Sequence, residues 1–149
     1  SNPPSSAAIL IQKEVAERVA AQPGDMSLLS VTAQYYWETS LGIVMPAHLF
    51  TPPPKVNSQI LILNRRAEPL FPDIDAKQFF RLVKAGFSNR RKTLHNSLSG
   101  GLQIGKPETE EILDVAGIKS TSRPQELSLD QWYSLYKVVS ARNTWLVNS

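Results

Sequence analysis

The hydrophobic pattern changes its period part-way along the chain. Over residues 1 to about 64, short apolar runs alternate with stretches of helical spacing. "AAILIQ" (Ala7 to Gln12) is nearly continuous and apolar, the pattern of a strand buried on both faces. "KEVAERVAAQPG" follows with Val15, Ala16 and Val19 at helical spacing, and Pro23-Gly24 supplies a stop. "SLLSVTAQYYWE" predicts a second helix with Leu28, Val31 and Tyr35 on one face. "LGIVMP" (Leu41 to Pro46) and "SQILILN" read as strands. Between them Pro52, Pro53 and Pro54 exclude both a helix and a central strand. Thr51 to Lys55 is therefore expected to be a stiff extended loop that presents Phe50.

Beyond "RRAEPLFPDID" the pattern is wholly helical. "AKQFFRLVKAGFS" places Phe79, Leu82, Val83 and Phe87 on one face, and "RRKTLHNSLSGG" continues or restarts that helix, ending at Gly100-Gly101. "KPETEEILDVAGI" opens with Pro107 and acids in its first turn, both suited to a helix N-terminus. Ser128 is the expected N-cap of a last helix carrying Trp132, Leu135, Tyr136 and Val139. The fold class is thus α/β plus all-α: residues 1–64 form strand–helix–helix–strand–loop–strand, 65–73 a linker, and 74–149 a small helical domain. A sheet of three strands that begins with a buried-type strand lacks neighbours and reads as the end of a larger sheet.

Composition narrows the function classes. With 149 residues and 42% hydrophobic content, the chain can bury an ordinary core. It contains no cysteine, which excludes disulfides and thiolate metal sites and suits a reducing compartment. The two histidines, His48 and His95, lie far apart and do not make a metal site. No apolar run approaches the roughly 20 residues of a membrane span and no signal-peptide pattern is present, so a cytoplasmic location is expected. Net charge is +3, but it is unevenly placed. From Lys77 to His95 the charged residues are Lys77, Arg81, Lys84, Arg90, Arg91 and Lys92, without an acid. Such a block creates a positive field that attracts phosphates, although a solvated helix face has the same composition. Lys13 and Glu14 point about 100° apart on a helix and read as surface charge, not an acid–base pair.

Several stretches, taken in order, carry a resemblance: "IQKEVAERVAA", "LSVTAQYYWE" leading to "FTPPPKVNSQILIL", and "GFSNRRKTLHNSL" with "RPQELSLDQW". From about Ala8 to Tyr136 the chain resembles the small-subunit ribosomal RNA adenine N6,N6-dimethyltransferases. The resemblance implies the terminal strands and helices of a Rossmann-like methyltransferase domain, followed by a helical RNA-binding domain. It implies S-adenosylmethionine as cofactor of the whole enzyme and small-subunit rRNA, in the immature small ribosomal subunit, as partner. It also implies that the Phe-x-Pro-x-Pro-x-Val loop, matched at Phe50, Pro52, Pro54 and Val56, borders the target-base pocket. Asn57 stands where the family commonly has Asp. Arg90, Arg91, Lys92 and His95 are the expected RNA-binding residues, with Arg91 and His95 on one helix face.

The resemblance also settles two look-alikes. Asn2-Pro3-Pro4 imitates the Asn-Pro-Pro-aromatic loop that clamps a methyl-acceptor NH2 group. In the family that loop lies a full helix upstream of the "QKEVAER" strand and helix, whereas here a few residues intervene and no aromatic follows Pro4. "SGGLQIGK" follows no predicted strand and is read as a helix cap and turn, not a cofactor loop. No catalytic or cofactor-binding residue is therefore expected in this chain, and no bound cofactor or metal. A non-catalytic RNA- or ribosome-binding module, or a transcription-factor-like relative on the same scaffold, remains an alternative.

Overall fold

The computed structural model describes residues 5–89 and 91–142. The chain divides into two compact units: one of residues up to Ala21 with Leu29–Pro72, the other of Gln22–Leu28 with the residues from Asp73 onward. Residues 65–72, read from their prolines as part of a linker, fall within the first unit. There Arg66 N–H donates to the Tyr36 carbonyl, Leu70 N–H to the Tyr35 carbonyl, and Phe71 is buried.

In the first unit, β1 (Ser6–Gln12) leads directly into α1 (Lys13–Val19). α2 (Leu28–Tyr36) is followed without a loop by β2 (Trp37–Met45), and β3 (Ser58–Arg65) closes a three-stranded sheet of order β1-β3-β2. β3 is antiparallel to both neighbours. The strand predicted from Leu41 thus begins four residues earlier, because Trp37 to Ser40 pair with Arg65 to Ile62. Ala16, Val19 and Leu61 form the core of this unit, with Ile11, Val15 and Leu63 packed against it. The opposite face is different. The register sets Leu10 against Ile60 and Ala8 against Ile62, and Leu10 stays 44% exposed. The expectation that β1 is buried on both faces is therefore corrected: of its residues only Ile11 is half-buried. Among the described residues no strand pairs with its outer edge.

The second unit holds α3 (Ala76–Gly86), α4 (Leu94–Leu102), α5 (Lys106–Val115) and α6 (Leu129–Arg142). Each start has a chemical reason. Asp75 caps α3 by accepting from the Lys77 and Gln78 amides, Thr93 caps α4, and Pro107 opens α5. Ser128 and Gln131 exchange hydrogen bonds in a reciprocal box at the start of α6. Phe79, Leu82, Val83, Leu94, Leu98, Ile112, Leu113, Trp132, Leu135 and Val139 are almost wholly buried, so the predicted faces of α3 and α6 do meet a core. The Gln22–Leu28 segment belongs here too: Gly24 and Met26 donate to the Gln125 carbonyl, and Met26 is buried.

Gly100 and Gly101 do not end α4, as expected from sequence, but lie inside it; the cap is Gln103, in the left-handed conformation at φ 57°. The two glycines predict opposite outcomes on substitution. A Cβ on Gly101 would lie 2.7 Å from the Ala85 Cβ and 3.1 Å from its Cα, so Gly101 is where α4 approaches α3. A Cβ on Gly100 meets nothing within 4 Å. Gly100→Ala is expected to stabilise by about 0.5–1 kcal/mol through helix propensity. Gly101→Ala is expected to destabilise by about 1–3 kcal/mol through overpacking. Urea titrations of both variants check the pair, and equal signs would contradict the packing.

Tyr133 on α6 donates its hydroxyl proton to the Asp73 carboxylate. That hydrogen bond, with smaller contributions from desolvation and the carboxylate charge, raises the phenol pKa above its ordinary 10.0. A raised folded-state value means the contribution is complete below pH 10 and lost as pH climbs through the folded value. Tyr133→Phe is accordingly expected to lower stability at neutral pH and to leave a flatter stability profile above pH 10. Thermal melts across that range read both effects.

Candidate nucleic-acid interface

Two segments carry the residues expected to meet RNA. The first is the loop between β2 and β3. A short 3₁₀ turn, Ala47–Leu49, ends at Phe50, whose N–H donates to the Ala47 carbonyl at 3.2 Å. Phe50 is half-buried, whereas Thr51 to Asn57 are exposed, and the Thr51–Pro52 peptide is cis. As expected from the prolines, residues 51–57 form neither helix nor strand, with bends in place of a fully extended path and Pro52 and Pro54 in solvent. Its far end is tied down by Asn57, whose Oδ1 accepts from the Ala47 N–H at 3.0 Å and whose carbonyl accepts from the Lys13 N–H at 3.0 Å. An aspartate would accept the same bond, so the Asn57 departure preserves the anchor. Local sequence pattern does not mark Asn57 as a site residue. Its side-chain partner, Ala47, lies ten residues earlier in the chain, beyond the reach of a local turn signal.

Beside this loop lies a cleft of about 430 Å3 lined by Gln12, Lys13, Glu14, Glu17, Lys55, Val56 and Asn57. Its charges are partly self-neutralised, because Lys13 pairs with Glu17 at 3.1 Å. It has no aromatic wall for a nucleoside, and the Lys13 amide is occupied by Asn57. The described residues do not fit a nucleoside cofactor there. His48 is exposed, and among the described residues no three His, Cys, Asp or Glu side chains cluster to hold a metal. Among them, too, no helix is long and apolar enough to cross a membrane.

The second segment is the turn between α3 and α4. Arg91 and Lys92 are exposed there, whereas Arg90 lies outside the described residues, as do Asn2, Pro3 and Pro4. The helix expected to carry Arg91 and His95 on one face does not form through Arg91. It restarts at Leu94, because Thr93 takes an extended conformation and accepts from the Asn96 N–H. The turn is nonetheless held firmly. Asn89 Oδ1 accepts from the Arg91 N–H at 3.0 Å, and its carbonyl accepts from Lys92 N–H and Ser97 Oγ. Leu94 N–H donates to the Ser122 carbonyl at 2.7 Å. Asn89 thus fixes the backbone that carries the two cations by a local turn whose sequence signal is Asn-x-Arg.

His95 sits on α4, half-buried, with Nε2 2.8 Å from the Lys106 carbonyl. A carbonyl only accepts, so Nε2 carries the proton and the ring joins α4 to α5. Only Nδ1 is left to face a ligand. The structure therefore places Arg91 and Lys92 together in solvent and gives His95 a structural bond as well.

A family model described as Ribosomal RNA adenine dimethylase matches residues 1–141. The chain belongs to that family. Ribosomal RNA small subunit methyltransferase A of Dehalococcoides mccartyi (strain CBDB1) is 39% identical over 132 residues, covering 89% of this chain and 45% of that protein. The chain spans about half the length of the curated relatives it matches. Among solved structures, the 23S rRNA methyltransferase ErmE is similar with a TM-score of 0.68 and 26% identity, over 91% of this chain and 55% of that one. A dimethyladenosine transferase from Plasmodium falciparum has a TM-score of 0.74 at 22% identity, over 93% and 59% respectively, and supports the fold. The mixed α/β arrangement of the chain is thus one it shares with these two solved structures.

Proposed function

We propose that the protein methylates N6 of two adjacent adenines in small-subunit rRNA with S-adenosylmethionine, and that this chain supplies the target-base loop and the rRNA-docking surface. The observation that carries the reading is the pinned turn from Asn89 to Thr93, which holds Arg91 and Lys92 in solvent in a chain of the dimethylase family. Guanidinium forks and ammonium groups bind phosphate oxygens without reading bases. The turn also precedes the N-terminus of α4, where the helix dipole favours anions. The docked partner is the rRNA of the immature small subunit.

The chemistry begins with an adenine taken out of its stack, at a cost of a few kcal/mol. Phe50, Pro52 and Pro54 supply an apolar rim on which the flipped base rests, and Asn57 holds that rim at its far end. Bound S-adenosylmethionine would supply the methyl group. In this reading the chain's part is to place the base and grip the RNA backbone.

The intact protein, given labelled methyl donor, is expected to modify a small-subunit rRNA fragment and to leave a 23S fragment unlabelled. The likeness to ErmE makes the 23S fragment the informative comparator. Base stacking on an aromatic is worth about 1–3 kcal/mol, so Phe50→Ala should slow transfer roughly 5- to 150-fold. Its affinity for the fragment, and the salt dependence of that affinity, should hardly move. Transfer to the 23S fragment alone would overturn the small-subunit assignment, and an unaltered rate in Phe50→Ala would remove the loop from the base site.

A further inference from the structure

We propose that the outer face of α3 is a second RNA-backbone track, formed by Lys77, Arg81 and Lys84; the proposal rests on the RNA reading above and extends it beyond the turn. The three side chains stand at i, i+4 and i+7 on one helix, and all are exposed. Phe79, Leu82, Val83 and Gly86 bury the opposite face, which fixes the cationic stripe outward. At 1.5 Å per residue, Lys77 and Lys84 are separated by about 10 Å along the axis, a length that spans neighbouring phosphates of a strand.

Helix stability accounts for Lys84, which lies in the last turn where the dipole favours a cation, but not for Lys77 or Arg81. No acid occurs between Ala76 and Gly86, so Lys77 and Arg81 form a like-charged i, i+4 pair, which destabilises a helix. Lys77 also occupies the first turn, where the helix dipole opposes a cation. Lys77 and Lys84 make no salt bridge among the described residues. The same chain shows what a merely solvated helix face looks like. On α1, Lys13 pairs with Glu17 at 3.1 Å and Arg18 with Glu14 at 3.2 Å, so every charge meets its opposite at the helical spacing. Lys77 and Lys84 depart from that pattern in the direction a polyanion favours. It also runs directly into the Asn89–Thr93 turn, so the stripe and the turn form consecutive parts of one basic segment.

The test uses this chain and its Lys77→Gln, Arg81→Gln, Lys84→Gln triple variant, titrated with a small-subunit rRNA fragment and with an unrelated RNA duplex at several salt concentrations. Each lost phosphate contact should flatten the slope of log affinity against log salt by roughly 0.7–0.9, so a loss of about two units is expected, on both RNAs alike. The melting temperature should hold or rise, because like-charge repulsion is removed. Should the triple variant melt lower, Lys84→Gln alone is read instead, with an expected change of roughly 0.7–0.9. An unchanged slope overturns the track. Arg91→Ala with Lys92→Ala separates the two readings. If that variant flattens the slope and the α3 variant does not, only the track falls; the reverse leaves the track and removes the turn. A chain that binds neither RNA overturns both.

Discussion

Replacing Trp132 with alanine is expected to cost about 3–5 kcal/mol, a large part of the 5–15 kcal/mol by which folded domains are stable. The indole is wholly buried in the helical unit, with its ring centroid 5.5 Å from that of Phe87. Its edge fills the space beside Gly86, where a Cβ would lie 2.5 Å from Cη2, so the glycine on α3 and the tryptophan on α6 are a matched pair. The alanine variant leaves a cavity beside Leu94 and Phe87, and the cost depends on how far they relax into it. Trp132→Phe should cost much less. It keeps most of the apolar volume and removes an indole N–H that has no hydrogen-bond partner among the described residues. Urea denaturation followed by circular dichroism compares the two. A loss below about 1 kcal/mol for the alanine variant would show that the site collapses freely and that the packing is loose.

Converting Arg90, Arg91 and Lys92 together to alanine is expected to abolish most RNA affinity and leave the fold intact. Arg91 and Lys92 are exposed, and the bonds that shape their turn come from Asn89, Thr93 and backbone amides that alanine retains. Loss of three phosphate contacts would flatten the salt slope by about two units. Between low and moderate salt that corresponds to orders of magnitude in affinity at the low end and little at the high end. Binding should weaken on all RNA sequences equally, because phosphate contacts position a protein without reading bases. Titration at several salt concentrations, with the melting temperature as the fold control, gives the answer. An unaltered slope would return the turn to an ordinary solvated surface.

The helices were legible because each is specified locally. Phe79, Leu82 and Val83 recur at the helical period, Asp75 and Ser128 stand where a cap is needed, and Pro107 sits where a missing N–H costs nothing. The proline loop and the basic segment were equally local, since prolines restrict their own backbone and charge needs no partner to be counted. What the pattern could not supply was pairing. Trp37 to Ser40 alternate weakly and carry a glutamate; only their partners on β3 make them a strand. Gly100 and Gly101 look like a stop until Ala85 of α3 is brought within reach, and then one of them is a contact point inside a helix. Arg91 fell in a turn instead of on a helix because the Asn89 side chain captured its amide, one local bond outcompeting another. The Gln22–Leu28 segment joined the helical unit through the Gln125 carbonyl, about a hundred residues away. Sequence by itself determined which segments could be helix, strand or rigid loop, and that one stretch was strongly basic. Tertiary structure decided the strand order, the ends of those segments and the direction the cations face, because each depends on groups distant in the chain whose positions no local periodicity encodes.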